Sequence, residues 1–231
     1  MIDYDATISK SVRRENELER ANHESSGKLS ASILNQPLLE QVLKIIGVPP
    51  EPVDDYTLRL FARGRQAEDF IVKHLPKGKE QNKIEYRDTV GLVDYIGEDG
   101  IPVEVKSTKN SAFKWIAKEK KPKVGHAMQA CLYAMALKQP QYRVLYVAAD
   151  DLRVLTFEHD TDALKGVVDG IIDEVYGQIK SGVLPEFVAR EKWQESGKYS
   201  SYSNWIILSQ KEAMAKLERE YSDAFKKLKG E

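Results

Sequence analysis

Apolar positions along the chain switch between a helical period and a period of two. From Tyr56 to Leu75, the residues Phe61, Gly64, Glu68, Ile71 and Leu75 fall three and four apart, which predicts a helix with Glu68 on its apolar stripe. Strands are predicted at about Lys83–Asp88, Val90–Ile96 and Pro102–Ser107, then a helix from about Val124 to Leu137. Alanines 127, 130, 134 and 136 let that helix pack closely on a sheet. Arg143–Ala149 and Leu152–Glu158 read as a hairpin around Asp150-Asp151, followed by a helix over Asp162–Lys180. Upstream, Ser30-Ala31-Ser32 reads as the cap of a helix running to about Ile46, stopped by Gly47 and Pro49-Pro50. The alternation predicts an α/β fold, a mixed central sheet flanked by helices with helical N- and C-terminal additions. Residues 1–29 form a polar, mobile or loosely docked arm in this reading, residues 30–205 the main body, and residues 206–231 a charged helix from Ser209 to Lys229.

The strand pair around Gly97 concentrates the chemistry. Alternation puts Glu104 and Lys106 on one face of their strand and Val103 and Val105 on the other. The turn Gly97-Glu98-Asp99-Gly100 is compatible with two registers. A two-residue Asp99-Gly100 turn opposes Asp94 to Val105 and separates the acids. A three-residue turn with Gly100 left-handed opposes Asp94 to Glu104. In the second case two carboxylates and an ammonium converge, which suits a hard divalent cation and an attacking water. The plainer reading of the strand pair is an exposed hairpin with a surface Glu and Lys. Glu68 is costly on an apolar stripe unless a cation or partner meets it. His126, Gln129 and Tyr133 recur at three and four residues; alone, they read as buried structural side chains.

Gly64-x3-Glu68, Gly91-x2-Asp94, Glu104-x-Lys106 and Gln129-x3-Tyr133 occur in one order. The set resembles the PD-(D/E)XK nuclease superfamily, RecB-type and phage exonuclease branch, over roughly residues 30–205. The resemblance implies a restriction-endonuclease-like core and a DNA nuclease, foremost an exonuclease trimming linear ends in recombination, repair or phage replication. It implies Mg²⁺ or Mn²⁺ held by Asp94, Glu104 and the Val105 carbonyl, with Glu68 acting through water or on a second ion. Lys106 would orient the attacking water, Gln129 would position Lys106 or the nucleophile, and Tyr133 would meet the DNA backbone. A structure-specific endonuclease or junction resolvase uses the same scaffold. A non-cutting recombination accessory protein is the rival from another class, and the intact Asp94, Glu104 and Lys106 argue against it.

Net charge is −1, from 35 Lys and Arg against 36 Asp and Glu, so no global basic excess announces nucleic acid. The charge is patterned instead. From Lys106 to Lys123 there are seven lysines and one acid, Glu119. Lys109, Lys114, Lys118, Lys120, Lys121 and Lys123 are therefore candidate phosphate contacts, and Trp115 or Phe113 a stacking surface. The plainer reading is a solvated lysine-rich loop. One cysteine, Cys131, excludes an internal disulfide and fits a reducing cytoplasm. The four histidines (23, 74, 126 and 159) lack zinc spacing, and no phosphate-cradling loop of an ATP motor is present. No apolar run is long enough to span a membrane, and the first residues are too polar for a signal peptide. Many RecB-type nucleases hold an iron–sulfur cluster through one upstream and three C-terminal cysteines. Residues 193–203 look like that segment with serines in place of cysteines, so no cluster is expected. The segment should instead close as a flap held by Trp193, Tyr199 and Tyr202. DNA is the expected partner, with a second copy or a recombination or replication protein left open, and no membrane.

Overall fold

Short apolar runs rich in Val, Ile and Tyr build a six-stranded mixed sheet in a computed structural model that describes residues 3–22 and 26–231. The strands are β1 (Leu29–Ser30), β2 (Lys79–Tyr86), β3 (Thr89–Ile96), β4 (Pro102–Thr108), β5 (Gln141–Ala148) and β6 (Val154–Asp160). Their order is β1-β3-β4-β5-β6, with β2 also paired to β3. β4 and β5 run parallel and lie at the centre, so both faces are covered; β5 is accordingly apolar from Val144 to Ala148, whereas β4 carries Glu104 and Lys106 among its apolar positions. β6 ends the sheet and alternates between exposed and half-buried positions. The parallel β4–β5 pair requires a crossover, which is supplied by α4 (Asn110–Glu119) and α5 (Val124–Leu137).

Each face of the sheet meets its own helices. On one, Ala67 and Ile71 of α3 (Asp55–His74) pack with Tyr95, Val103, Val105, Leu145 and Val147. On the other, α5 and α6 (Asp162–Lys180) cover Val93, Val144, Tyr146 and Ala148. Val103 and Val105 thus face α3, while Glu104 and Lys106 face α5. A second core joins α2 (Leu38–Ile46), Leu184, Tyr202 and Trp205 to α8 (Gln210–Glu220) and α9 (Ser222–Lys229). A short α7 (Ser203–Ile206) carries Trp205. The helix α1 (Tyr4–Asn22) lies along α3, where Arg13 pairs with Asp55 and Arg59 with Asp5.

Gly97 N–H donates to the Ile101 carbonyl (3.1 Å) and Gly100 N–H to that of Gly97 (2.9 Å), with Gly100 at φ 80°. This is the three-residue turn. It pairs Tyr95 with Val103, and one step further brings Asp94 opposite Glu104.

Several expectations are corrected. The predicted helix from Ser30 begins only at Leu38: Leu29 and Ser30 pair with Thr89 and Val90, and Pro37, which restrains the residue before it, sits at the helix cap. Gly47 does end that helix, left-handed at φ 97°. The lysine-rich stretch is not a loop but contains α4, because Phe113 and Ile116 bury one of its sides. Phe61, placed on the buried stripe of α3, is half exposed (50%); Ile71 of that stripe is buried, together with Leu58 and Ala67, which the stripe did not include. The C-terminal helix is broken at Tyr221 into α8 and α9, which lets Ala213, Leu217, Ala224 and Leu228 all reach the second core. Of the three aromatics expected to hold the serine-bearing segment, Tyr202 is the anchor, donating to the Val48 carbonyl (3.1 Å). Trp193 and Tyr199 are 47% and 68% exposed and lie against each other.

Gly91 tests the packing of this frame. A Cβ there would lie 2.6 Å from Tyr133 Cε1 and 3.2 Å from Ala31 Cβ and Ile84 Cδ1. Gly91→Ala should destabilise the protein by about 1–3 kcal/mol through overpacking. Gly170→Ala, in α6 with nothing within 4 Å of the added carbon, should stabilise it by about 0.5–1 kcal/mol. Urea unfolding of both variants checks the pair; equal midpoints would contradict this packing.

Candidate active site

Beyond Val103, β3 and β4 part, and the edge of β4 is left open. Two carboxylates take the place of the missing strand. Asp94 Oδ2 accepts from the Val105 N–H (2.8 Å), and Glu68 Oε1 from the Ser107 N–H (2.7 Å). Each keeps a second oxygen. A residue's N–H and C=O lie on the same edge of an extended strand, so the Val105 carbonyl flanks Asp94 as well. Glu68 reaches this edge from the α3 side because Gly64, one turn earlier, has no side chain. A Cβ on Gly64 would lie 2.7 Å from Ser107 Oγ.

From the α5 side comes Glu104, fully buried at 0% exposure. Lys106 forms an ion pair with its Oε1, yet neither carboxylate oxygen has a hydrogen bond. Burial pushes the Glu104 carboxyl up to about 8; the Lys106 charge opposes this and the Asp94 charge adds to it. Asp94 is also raised, by burial that outweighs the Val105 N–H and Lys106, with Glu68 adding repulsion. For Lys106, burial works against the ammonium, but contact with Glu104 and the charges of Asp94 and Glu68 raise its pKa. When all three carboxyl groups are ionised they face one ammonium, and the site then has a deficit of positive charge.

That deficit fits a hard divalent cation, as do the buried Glu104 carboxylate, held by its Lys106 ion pair alone, and an all-oxygen donor set. Among the described residues no group of three or more His, Cys, Asp or Glu side chains is placed to hold a metal ion. The Val105 carbonyl and water are the donors that would complete a metal shell.

Gln129 and Tyr133 lie on α5 above this edge. Gln129 Nε2 donates to Tyr133 Oη (2.6 Å), and that hydroxyl donates to the Leu92 carbonyl (2.9 Å). The pair therefore clamps β3 two residues before Asp94. Burial and the Glu104 charge hold the Tyr133 phenol protonated, with its pKa well above the ordinary tyrosine value. Tyr133 is 1% exposed, so the expectation that it meets the DNA backbone is corrected: its hydroxyl faces protein. The structure brings Glu68, Asp94, Glu104, Lys106, Gln129, Tyr133 and the Val105 backbone to one edge.

Lys109, Lys114, Lys118, Lys120, Lys121 and Lys123 are all exposed, on α4 and its flanks. Trp115 is 52% exposed, but Phe113 is buried beneath the Arg153 guanidinium and cannot stack on a base. A cleft of about 420 Å³ beside Glu68 is lined by Phe61, Arg63, Gly64, Arg65, Ser107 and Lys109, among others. Sequence reasoning missed Arg63, Arg65 and the exposure of Phe61. The signal available was the position of both arginines next to Gly64. His126 stands out in the sequence only by its helical spacing, which assigns it no role. A more apolar cavity of about 350 Å³ lies elsewhere, between α2 and Tyr199, Ser201 and Tyr202.

No family model matches the chain, and no curated protein matches it. Solved structures do. An alkaline exonuclease (LHK-Exo) from Laribacter hongkongensis is similar at a TM-score of 0.53 and 14% identity, covering 68% of this chain and 90% of that one. A phage-related exonuclease from Haemophilus somnus gives 0.51 and 15%, covering 67% and 95%. The protein SSO0001 gives 0.57 and 13%, covering 88% and 96%. At these identities the likeness shows a shared fold, the mixed sheet flanked by helices.

The raised Glu104 carboxyl makes metal-free stability depend on pH. Below its ordinary value of 4.5 the folded and unfolded chains both hold the proton; from there to about 8 only the folded chain does. In chelator, stability should therefore fall as pH rises through this window, and Glu104→Gln should flatten the fall. Urea midpoints against pH measure it, and parallel curves for the two proteins would contradict the assignment.

Proposed function

We propose that the chain is a PD-(D/E)XK nuclease: a divalent-metal-dependent deoxyribonuclease that hydrolyses phosphodiester bonds at the ends of linear DNA. The observation that carries this reading is the open β4 edge, where Asp94 and Glu68 replace a strand and Glu104 stays buried without a hydrogen bond beside Lys106. The fold shared with two exonucleases supports it. Asp94, Glu104 and the Val105 carbonyl would hold Mg²⁺ or Mn²⁺, with Glu68 acting through water or at a second ion. When bound, the ion offsets charge on the phosphate and lowers the pKa of water.

The chain's own groups do the rest. Lys106, a cation next to the acids, orients the attacking water and favours its deprotonated form. Gln129 and Tyr133 fix β3, and so the reach of Asp94, without touching substrate. The exposed lysines of α4 and its flanks, with Arg63 in the adjoining cleft, hold the phosphate backbone, and Trp115 offers a face to an unpaired base. No iron–sulfur cluster belongs to this reading. Ser200 Oγ accepts from the Tyr202 N–H and Ser203 Oγ donates to Glu51, so these hydroxyls serve the local fold, and Cys131 is buried. Among the described residues no helix is long and apolar enough to cross a membrane.

Asp94→Asn and Lys106→Ala should each slow cutting of end-labelled linear DNA by about 10²–10³-fold or more while the far-UV spectrum is kept. Chelation should do the same reversibly. Full-rate cutting in excess chelator would rule out the metal site. Rapid cutting of closed circular DNA would replace the exonuclease with an endonuclease or resolvase on the same scaffold.

Neutralising Lys114, Lys118 and Lys121 together should weaken DNA binding with little regard to sequence. It should also flatten the plot of log affinity against log salt by about 0.7–0.9 for each phosphate that is no longer neutralised. An unchanged slope would place the DNA path elsewhere.

A further inference from the structure

His126 stands three residues before Gln129 on α5 and is not accounted for by packing alone. Its neighbour Tyr146 is paired with Lys106 in the parallel β4–β5 ladder, so the two side chains lie side by side on the same face. Tyr146 Oη accepts a hydrogen bond from the Lys123 N–H (2.9 Å). The hydroxyl proton is therefore free to point to its other neighbour, His126 Nδ1, at 2.9 Å. With Nδ1 accepting, a neutral imidazole carries its proton on Nε2. No hydrogen bond to Nε2 forms among the described residues. Burial, joined by the charges of Lys106 and Lys123, keeps the ring neutral, with a pKa lowered to about 3. The charges that act on the ring are Lys106, itself paired with Glu104, and Lys123, so among the described residues no carboxylate or other metal-ligand partner holds this imidazole.

We propose that His126 is a substrate-contacting residue, whose Nε2–H, fixed by the Tyr146 relay, donates to a non-bridging oxygen of the DNA phosphate that sits between Lys106 and Lys123. The inference rests on the nuclease reading and deepens it. The site then has a charged donor, Lys106, and an uncharged donor whose direction is set before substrate arrives. A fixed dipole of this kind costs no reorganisation when charge gathers on the phosphate. It also takes no part in proton transfer, since the ring does not titrate in the working range.

Two substitutions separate contact from packing. His126→Asn keeps an acceptor for Tyr146 but removes the outer donor; His126→Gln carries an amide N–H out to the place of Nε2. At saturating linear DNA, His126→Asn should lower the cleavage rate by about 10²-fold, and His126→Gln should recover most of it. Nitrogen-15 spectra of the metal-free, DNA-free wild type should show the Nε2–H tautomer with no protonation across the neutral range. Wild-type rates in both variants, equal losses in both, or an imidazole that is Nδ1-protonated or charged near neutrality would each overturn the role of His126. A wild type that cuts no DNA overturns the nuclease reading itself and removes this donor's substrate with it.

Discussion

The open edge of β4 is the constraint on which the rest of the molecule depends. A backbone N–H withdrawn from both water and a strand partner is costly, so the N–H groups of Val105 and Ser107 need acceptors once β3 turns away. Asp94 and Glu68 provide them, and in doing so lose their freedom to wander. The same bonds that complete the sheet thereby hold two acids at fixed positions. Gly64 and Gly91 serve this arrangement by subtraction: one lets α3 close on Ser107, the other lets Tyr133 fill the space beside β3.

Against that stable edge stands a local cost. Glu104 is buried beside Asp94, and Lys106 alone does not compensate three carboxylates. Replacing Glu104 by an apolar residue would suit the core better, since buried ion pairs often contribute little or nothing net to stability. The remainder of the fold is built to tolerate the cost. β4 is flanked by β5 along its whole length, and α5 covers it with alanines and Tyr133. Stability is drawn from the apolar cores on both faces of the sheet and around α2, so that one strand edge can remain electrostatically unsatisfied.

Much of this was legible in the chain. Period-two alternation identified the faces of β4, and α5 and α6 follow their apolar spacing almost to the residue. The acids and Lys106 stood out because charge is conspicuous on a strand whose neighbours are Val103 and Val105. What was not legible depended on tertiary alternatives. The turn at Gly97 fitted two registers, and only the pairing in three dimensions selects one. Leu29 and Ser30 pair with residues sixty positions away, which local capping signals do not encode. Tyr133 spells a site motif but turns its hydroxyl to the Leu92 carbonyl, and Phe113 turns inward because α4 needs an apolar side. Phe61 shows the reverse: a residue type that belongs in cores is left at the lip of a cleft.

The terminal strand β6 carries side chains that bear on edge-to-edge pairing. A sheet that ends in an extended strand is a template for another chain, and β6 carries the aggregation-prone mixture of Val154, Leu155 and Phe157. Its outward-facing second half is Glu158 and Asp160, with Thr156 between them and Val154. A second copy stacked in register would set Glu158 on Glu158 and Asp160 on Asp160, and like charges directly opposed across strands repel. Two carboxylates at alternate positions thus work against that in-register pairing, Asp160 more than Glu158, whose charge is met by Arg143.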